Sequence, residues 1–154
     1  MMIVVGWQLD VTLSPRERVA ISQTFKLSTL RCIELQPDNP LPHHLLGRYY
    51  YFMAALNWLE RAFVKTMLLQ ESHNKPFKLE GTHAMAEQKF LQAHSLNTSW
   101  LPTGLWMARS LLAQQRPLEE VSEWIEFGLS LECNDPSTKM ERGELLELKA
   151  KLKP

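Results

Sequence analysis

The chain has 154 residues, enough to bury roughly 70% of the surface it exposes when unfolded, so one domain with a core of its own is expected. Basic and acidic side chains balance at 17 each, which excludes broad attraction to nucleic acid or to a membrane surface. Cys32 and Cys133 lie far apart with no CxxC spacing, which excludes a disulfide framework and points to two free thiols in a reducing, cytoplasmic setting.

Residues 1–14 read as an irregular segment: Ile3, Val4, Val5, Trp7 and Leu9 fit either a short strand or a strip laid across an open helix face. It has no basic lead-in and Asp10 interrupts it, so it does not read as a signal peptide. No apolar run in the chain approaches the roughly 20 residues that span a bilayer. Helical signals begin at Ser14-Pro15-Arg16-Glu17, a Ser cap, a first-turn Pro and a Glu closing a capping box. Val19, Phe25, Leu30 and Ile33 then mark one apolar face, predicting a helix over 15–35. Pro37, Pro40 and Pro42 make a turn, and a second helix is predicted from about Pro42 to Leu56. Trp58, Leu59, Phe63, Met67 and Leu68 give a third helix, with Arg61 and Lys65 on its polar side, and residues 71–81 a loop. Further helices follow at 82–96, from Pro102, and at 118–131, with a turn over Gln114–Pro117. After Asn134-Asp135-Pro136, a capping box of Thr138 with Glu141 is expected to start a last helix carrying Leu145, Leu146, Leu148 and Leu152. Nothing alternates with period two over a useful length, so the class is all-α.

The spacing of small residues suggests how these helices pair. A tetratricopeptide unit is about 34 residues, with a small residue near position eight of its first helix, small residues near 20 and 27 of its second, and an aromatic near 24. Position 27 therefore precedes position eight of the next unit by 15, which is the separation of Cys32 from Gly47 and of Ala93 from Ala108. Ala86, Phe90 and Ala93 fall on 20, 24 and 27; Trp124 and Phe127 fall on 24 and 27 after Ala108. Gly47 to Ala86 spans 39 positions where an unbroken unit needs 12, so about 27 residues, 57–82, are inserted between the helices of the central pair. The predicted architecture is a tetratricopeptide-like superhelix of antiparallel helix pairs over 15–154, with that insertion.

The stretch LRCIELQPDNPLPHHLLGRYYYF, then NWLERAFVKTML, the interrupted loop and FLQAHSLN resemble the regulator of microtubule dynamics family over about 25–150. The most specific part is the Leu46-Gly47 helix followed by Trp58-Leu59-Glu60-Arg61. The resemblance implies a non-enzymatic, cytoplasmic, microtubule-associated protein acting around the spindle, with relatives tied to mitochondria. Cys32 stands where the family has Ala and Thr98 where it has Pro. The family's earlier helical region is not recognisable in residues 1–24, so the chain reads as shortened, which weakens the expectation of autonomous microtubule binding.

In such a stack the groove is lined by first-helix positions five, nine and twelve, which are His44, Arg48 and Tyr51 in one unit and Leu105, Arg109 and Leu112 in the next. Arg48 and Arg109 are thus equivalent, and with Tyr51 they are candidates for holding an acidic extended segment such as a tubulin tail. The alternative is that both pair with carboxylates of the chain itself. Arg61 and Lys65 are a second basic candidate, against a plain solvated helix face. The five histidines offer no i, i+4 ligand pair, so no metal and no cofactor are expected. Glu119, Glu123 and Glu126 read as a solvated acidic stripe, and Trp58, Trp100, Trp106 and Trp124 as core. Cys32 reads as a buried small residue where helices cross. No GxSxG, phosphate-cradling glycine loop or HExxH is present, which argues against an enzyme. A general peptide-binding tetratricopeptide adaptor is the alternative, although His44 and Arg48 occupy the places where a carboxylate clamp has Lys and Asn.

Overall fold

A computed structural model describes the backbone of residues 15–71 and 80–152, and the side chains of 21–66 and 80–152. The irregular 1–14 segment, the cap at Ser14, the core positions Val19, Met67 and Leu68, and most of the 71–81 loop lie outside those residues. Among the described residues there are seven α-helices and no strand. They are α1 (Pro15–Leu35), α2 (Pro40–Ala55), α3 (Trp58–Glu71), α4 (His83–Leu96), α5 (Leu101–Ala113), α6 (Leu118–Ser130) and α7 (Pro136–Leu152).

Local chemistry explains most of the boundaries. Asn39 sits in extended conformation and its side chain accepts from Leu41 N, while Pro40 and Pro42 occupy the first turn, where a missing N–H costs little. Asn57 and Glu60 close a reciprocal box at the start of α3: Glu60 N donates to Asn57 Oδ1 at 2.9 Å and Asn57 N to Glu60 Oε2 at 2.8 Å. Thr82 caps α4 by accepting from Met85 N. The end of α5 turns through Gln115 at φ 56, with Arg116 N donating to Leu111 O and Gln115 N to Leu112 O, a Schellman closure around a non-glycine residue.

The start of α7 corrects one expectation. The cap is Asp135, whose Oδ1 accepts from Ser137 N at 2.9 Å and Thr138 N at 3.0 Å. Thr138 donates its hydroxyl to the same carboxylate instead of forming a box with Glu141. Asp directly before a Pro already supplies both the cap and the first helical residue, so the helix begins a turn earlier.

Neighbours in space are not always neighbours in sequence. α2 packs on α4 and α5 on α6; α4 lies against α5, α1 against α2, and α7 against both α5 and α6. The third helix packs on α1 and is held to the end of α2 through Arg61. The continuous core holds Leu46, Tyr49, Phe90, Leu105, Met107, Ile125 and Leu145, each at most 2% exposed. Two crossings are tight enough to require glycine. A Cβ on Gly47 would come within 2.6 Å of Phe90 Cε1, and one on Gly104 within 2.9 Å of Gly128 Cα and 3.0 Å of Trp124 O. Gly47 is buried as read from its spacing, and Ala108 is fully buried as well. Cys32 is half-buried rather than enclosed, and both described cysteines are free thiols.

Tryptophans divide differently from the reading of all four as core. Trp106 is 5% exposed, Trp100 and Trp124 are half-buried, and Trp58 is 79% exposed. Among the described helices α3 packs along α1 and touches α2 only at its end, so its Trp58, Leu59 and Phe63 side chains stay exposed.

Candidate partner-binding site

Helical periodicity carries Arg48 and Tyr51 to one side of α2, and Arg109 to the side of α5 that faces α7. Between them stands Trp106. Its ring is framed by Tyr51 edge-on at 5.5 Å, Phe52 at 5.6 Å and Phe90 at 6.2 Å between centroids. The Arg48 guanidinium lies 4.6 Å from the centre of the Trp106 ring and the Arg109 guanidinium 4.9 Å from it. Two cations on one indole gain from its quadrupole, and a planar guanidinium suits stacking better than an ammonium would.

Carboxylates come from α7. Arg109 Nη2 donates to Glu144 Oε2 at 2.5 Å, with both side chains about one-third exposed. Glu141, one turn earlier, is half-buried, and its Oε2 has no hydrogen-bond partner among the described residues; Arg48 Nε is likewise buried without one. Burial pushes the Glu141 carboxyl up to about 7, with Arg48 opposing and Glu144 adding to the rise. Burial also lowers Arg48, with Glu141 opposing and the neighbouring Arg109 reinforcing the change. The site therefore sets two guanidiniums beside Glu144, which pairs with Arg109, and beside Glu141, whose carboxyl burial pushes up to about 7.

Of the residues singled out from sequence, Arg48, Tyr51 and Arg109 come together, and the other three do not. His44 is 2% exposed, its ring 4.7 Å from Trp100 and 5.3 Å from Phe90. Trp100, at the α4–α5 junction, closes over it, so His44 belongs to the core and not to an open face. Burial, with Arg48 close by, lowers its pKa to about 3, which keeps the ring neutral. Arg61 is engaged at the end of α2: Nη2 donates to Met53 O and Ala54 O at 2.9 and 3.1 Å, and Nε to Leu56 O at 3.1 Å. It serves there as a C-terminal cap. Lys65 is exposed on α3, away from Trp106. The acidic stripe of α6 is solvated at Glu119 and Glu123, whereas Glu126 pairs with Lys149 of α7.

Sequence reasoning missed Glu141 and Glu144, although a signal existed. Both fall on the i, i+3, i+4, i+7 stripe that includes Leu145 and Leu148, so two acids share the face that α7 turns inward. It also missed the buried Lys26 on α1, which faces Glu80 at 3.8 Å and lies over the Tyr49 and Tyr50 rings. Among the described residues no three of His, Cys, Asp and Glu are grouped to hold a metal ion, and no helix is long and apolar enough to cross a membrane.

Residues 2–153 match the family described as Regulator of microtubule dynamics protein 1-3. The chain belongs to that family. The match reaches further toward the N-terminus than residue 25, where the resemblance in sequence begins to be visible. Similar relatives include regulator of microtubule dynamics protein 3 of Mus musculus, 30% identical over 115 residues, and that of Bos taurus, 29% identical over 116. Regulator of microtubule dynamics protein 2 of Bos taurus is 22% identical over 138 residues. The matched stretches are 75%, 75% and 90% of this chain, but only 23%, 23% and 32% of the respective relatives. The chain thus corresponds to a minor part of the length of these regulators of microtubule dynamics.

Proposed function

We propose that this member of the regulator of microtubule dynamics family is a non-enzymatic, tetratricopeptide-like binding module. In this reading the face carrying Arg48, Tyr51 and Arg109 holds an acidic extended segment, such as a tubulin tail, in a cytoskeletal and spindle setting. The observation that carries it is that Arg48 of α2 and Arg109 of α5, read as equivalent positions of successive units, both lie against one ring, that of Trp106. Cations fixed against an aromatic platform present their remaining N–H donors in a set geometry, which suits carboxylates along a chain.

Helix pairing supports the architecture. Gly47 meets Phe90 as positions eight and 24 of one unit, with α3 and its flanking loops standing as an insertion over 57–82; Gly104 meets Gly128 in the following pair at the same relative register. Burial of His44 weakens the alternative of a general adaptor with a carboxylate clamp, since one of the two clamp places lies in the core. Arg48→Ala and Arg109→Ala are expected to weaken co-sedimentation with polymerised tubulin while leaving the helical circular dichroism intact, and added salt is expected to weaken it further. Binding that is indifferent to both substitutions would remove the proposal.

A further inference from the structure

The ion pair between Arg109 and Glu144 has a bearing on the site beyond stability. It spans 35 residues of sequence, joins α5 to α7, and is the same kind of contact that an acidic partner would make with Arg109. It is also open enough to exchange, with side chains 31% and 34% exposed. The Arg109 guanidinium carbon also lies 4.9 Å from the centre of the Trp106 ring, and a guanidinium has five N–H donors, so contact with the indole and a bond to a carboxylate are compatible. Next to it, Arg48 Nε and Glu141 Oε2 are buried without hydrogen-bond partners among the described residues, so the polar groups on the α2 and α7 sides of the indole are incompletely matched.

We infer that Glu144 is a resident stand-in ligand: it holds on Arg109 the place that a partner's carboxylate takes, and α7 competes with the partner from within the chain. This rests on the acidic-segment reading above and deepens it. The class of ligand follows from the chemistry of the stand-in, a side-chain carboxylate displayed from a peptide and reaching Arg109, with the Arg48 edge as the second point of attachment. Glu144 thereby sets how acidic a segment must be, because a weakly acidic one does not displace a carboxylate already tethered at high effective concentration.

The probe is a fluorescent hexaglutamate peptide read by anisotropy, with wild-type protein, Glu144→Gln, Arg109→Ala, Arg48→Ala and the double variant Arg109→Ala/Glu144→Gln. Thermal melts of each establish that the fold is retained; Glu144→Gln keeps an acceptor for Arg109, and Glu144→Ala is run beside it. The expected result is an affinity for Glu144→Gln about fivefold above wild type, the scale of one partly exposed ion pair. No gain is expected from the same change once Arg109 is removed. A Glu144→Gln protein binding no tighter than wild type, while Arg109→Ala binds more weakly, would overturn the stand-in role and leave the acidic-segment reading in place. Wild-type affinity in both arginine variants would overturn the two together.

Discussion

Gly47 offers the sharpest quantitative test of how α2 and α4 meet. Replacing it with Ala adds one methyl group, whose carbon would sit 2.6, 2.7 and 3.1 Å from Cε1, Cδ1 and Cζ of Phe90. Carbon atoms in good contact are about 3.5–4.0 Å apart, so the Phe90 ring must retreat by roughly 1 Å. It has little room to do so, being 0% exposed with the His44 ring 5.3 Å away and the Trp106 ring 6.2 Å away. Overpacking of this kind costs about 1–3 kcal/mol, and Ala regains about 1 kcal/mol over Gly in a helix. The net expectation is a loss of up to about 2 kcal/mol, larger for Gly47→Leu. Gly143 supplies the control, because a Cβ there meets nothing within 4 Å. Gly143→Ala should therefore gain about 0.5–1 kcal/mol through helix propensity alone. Urea unfolding followed by circular dichroism gives both numbers, provided the slope with denaturant is unchanged. Combining Gly47→Ala with Phe90→Leu should cost less than the two single changes added, since Leu withdraws the clashing ring edge. A Gly47→Ala protein as stable as Gly143→Ala would refute the close crossing and the helix pairing built on it.

Three other outcomes follow from the same packing. His44 keeps its depressed pKa only when folded, so the unfolded chain takes up its proton first and stability falls as pH drops from about 6.5 toward 3; at pH 5 the loss is about 2 kcal/mol. The Glu141 carboxyl, pushed up to about 7 in the folded chain, works in the opposite direction over the same range. The His44 share is therefore read as the difference in pH dependence of the urea midpoint between wild type and His44→Phe, which should lose stability less steeply from pH 7.5 to pH 5 than wild type does. Arg61→Ala should destabilise by about 1–2 kcal/mol through three lost bonds to the α2 carbonyls, with faster amide exchange near α2's last turn, and should leave tubulin co-sedimentation unchanged. Gln115→Gly should stabilise by about 0.5–1 kcal/mol, since φ 56 suits glycine; a drop in midpoint would mean that the Gln115 side chain contributes something its backbone geometry does not reveal.

The helices were legible because their ends are written in short-range chemistry. Pro42, Thr82 and Pro102 act within a turn of where they stand and fall within two residues of the starts of α2, α4 and α5, although α2 begins at Pro40, which reads from sequence as part of the turn. The α7 start was harder because Asp135, Ser137 and Thr138 are all cap formers, and only the Pro at 136 tells them apart. Arg48 and Arg109 could be placed together because the spacing of small residues fixes the phase of their helices. His44 could not, since its burial depends on Trp100 folding over it from another helix pair. Trp58 misled for a related reason. Its helical spacing is that of a buried residue, but burial needs a facing element, and sequence does not say that α3 packs along α1 alone and meets α2 only at its end. The carboxylates of α7 were legible only as two acids on its inward stripe, and it is tertiary packing that brings Glu144 to Arg109.

Arg61 carries an implication for how this architecture tolerates change. Its guanidinium ties α3 to the carbonyls of Met53, Ala54 and Leu56, while Asn57 and Glu60 lock the bend itself, so the angle at which the third helix departs is set within nine consecutive residues, 53–61. The corner behaves as a welded bracket at the near end of the insertion, while at its far end Gly81 lies close against Tyr50 and Met53 of α2. Evolution, or a protein engineer, has latitude only between those two fixed ends, and there too α3 keeps its packing on α1.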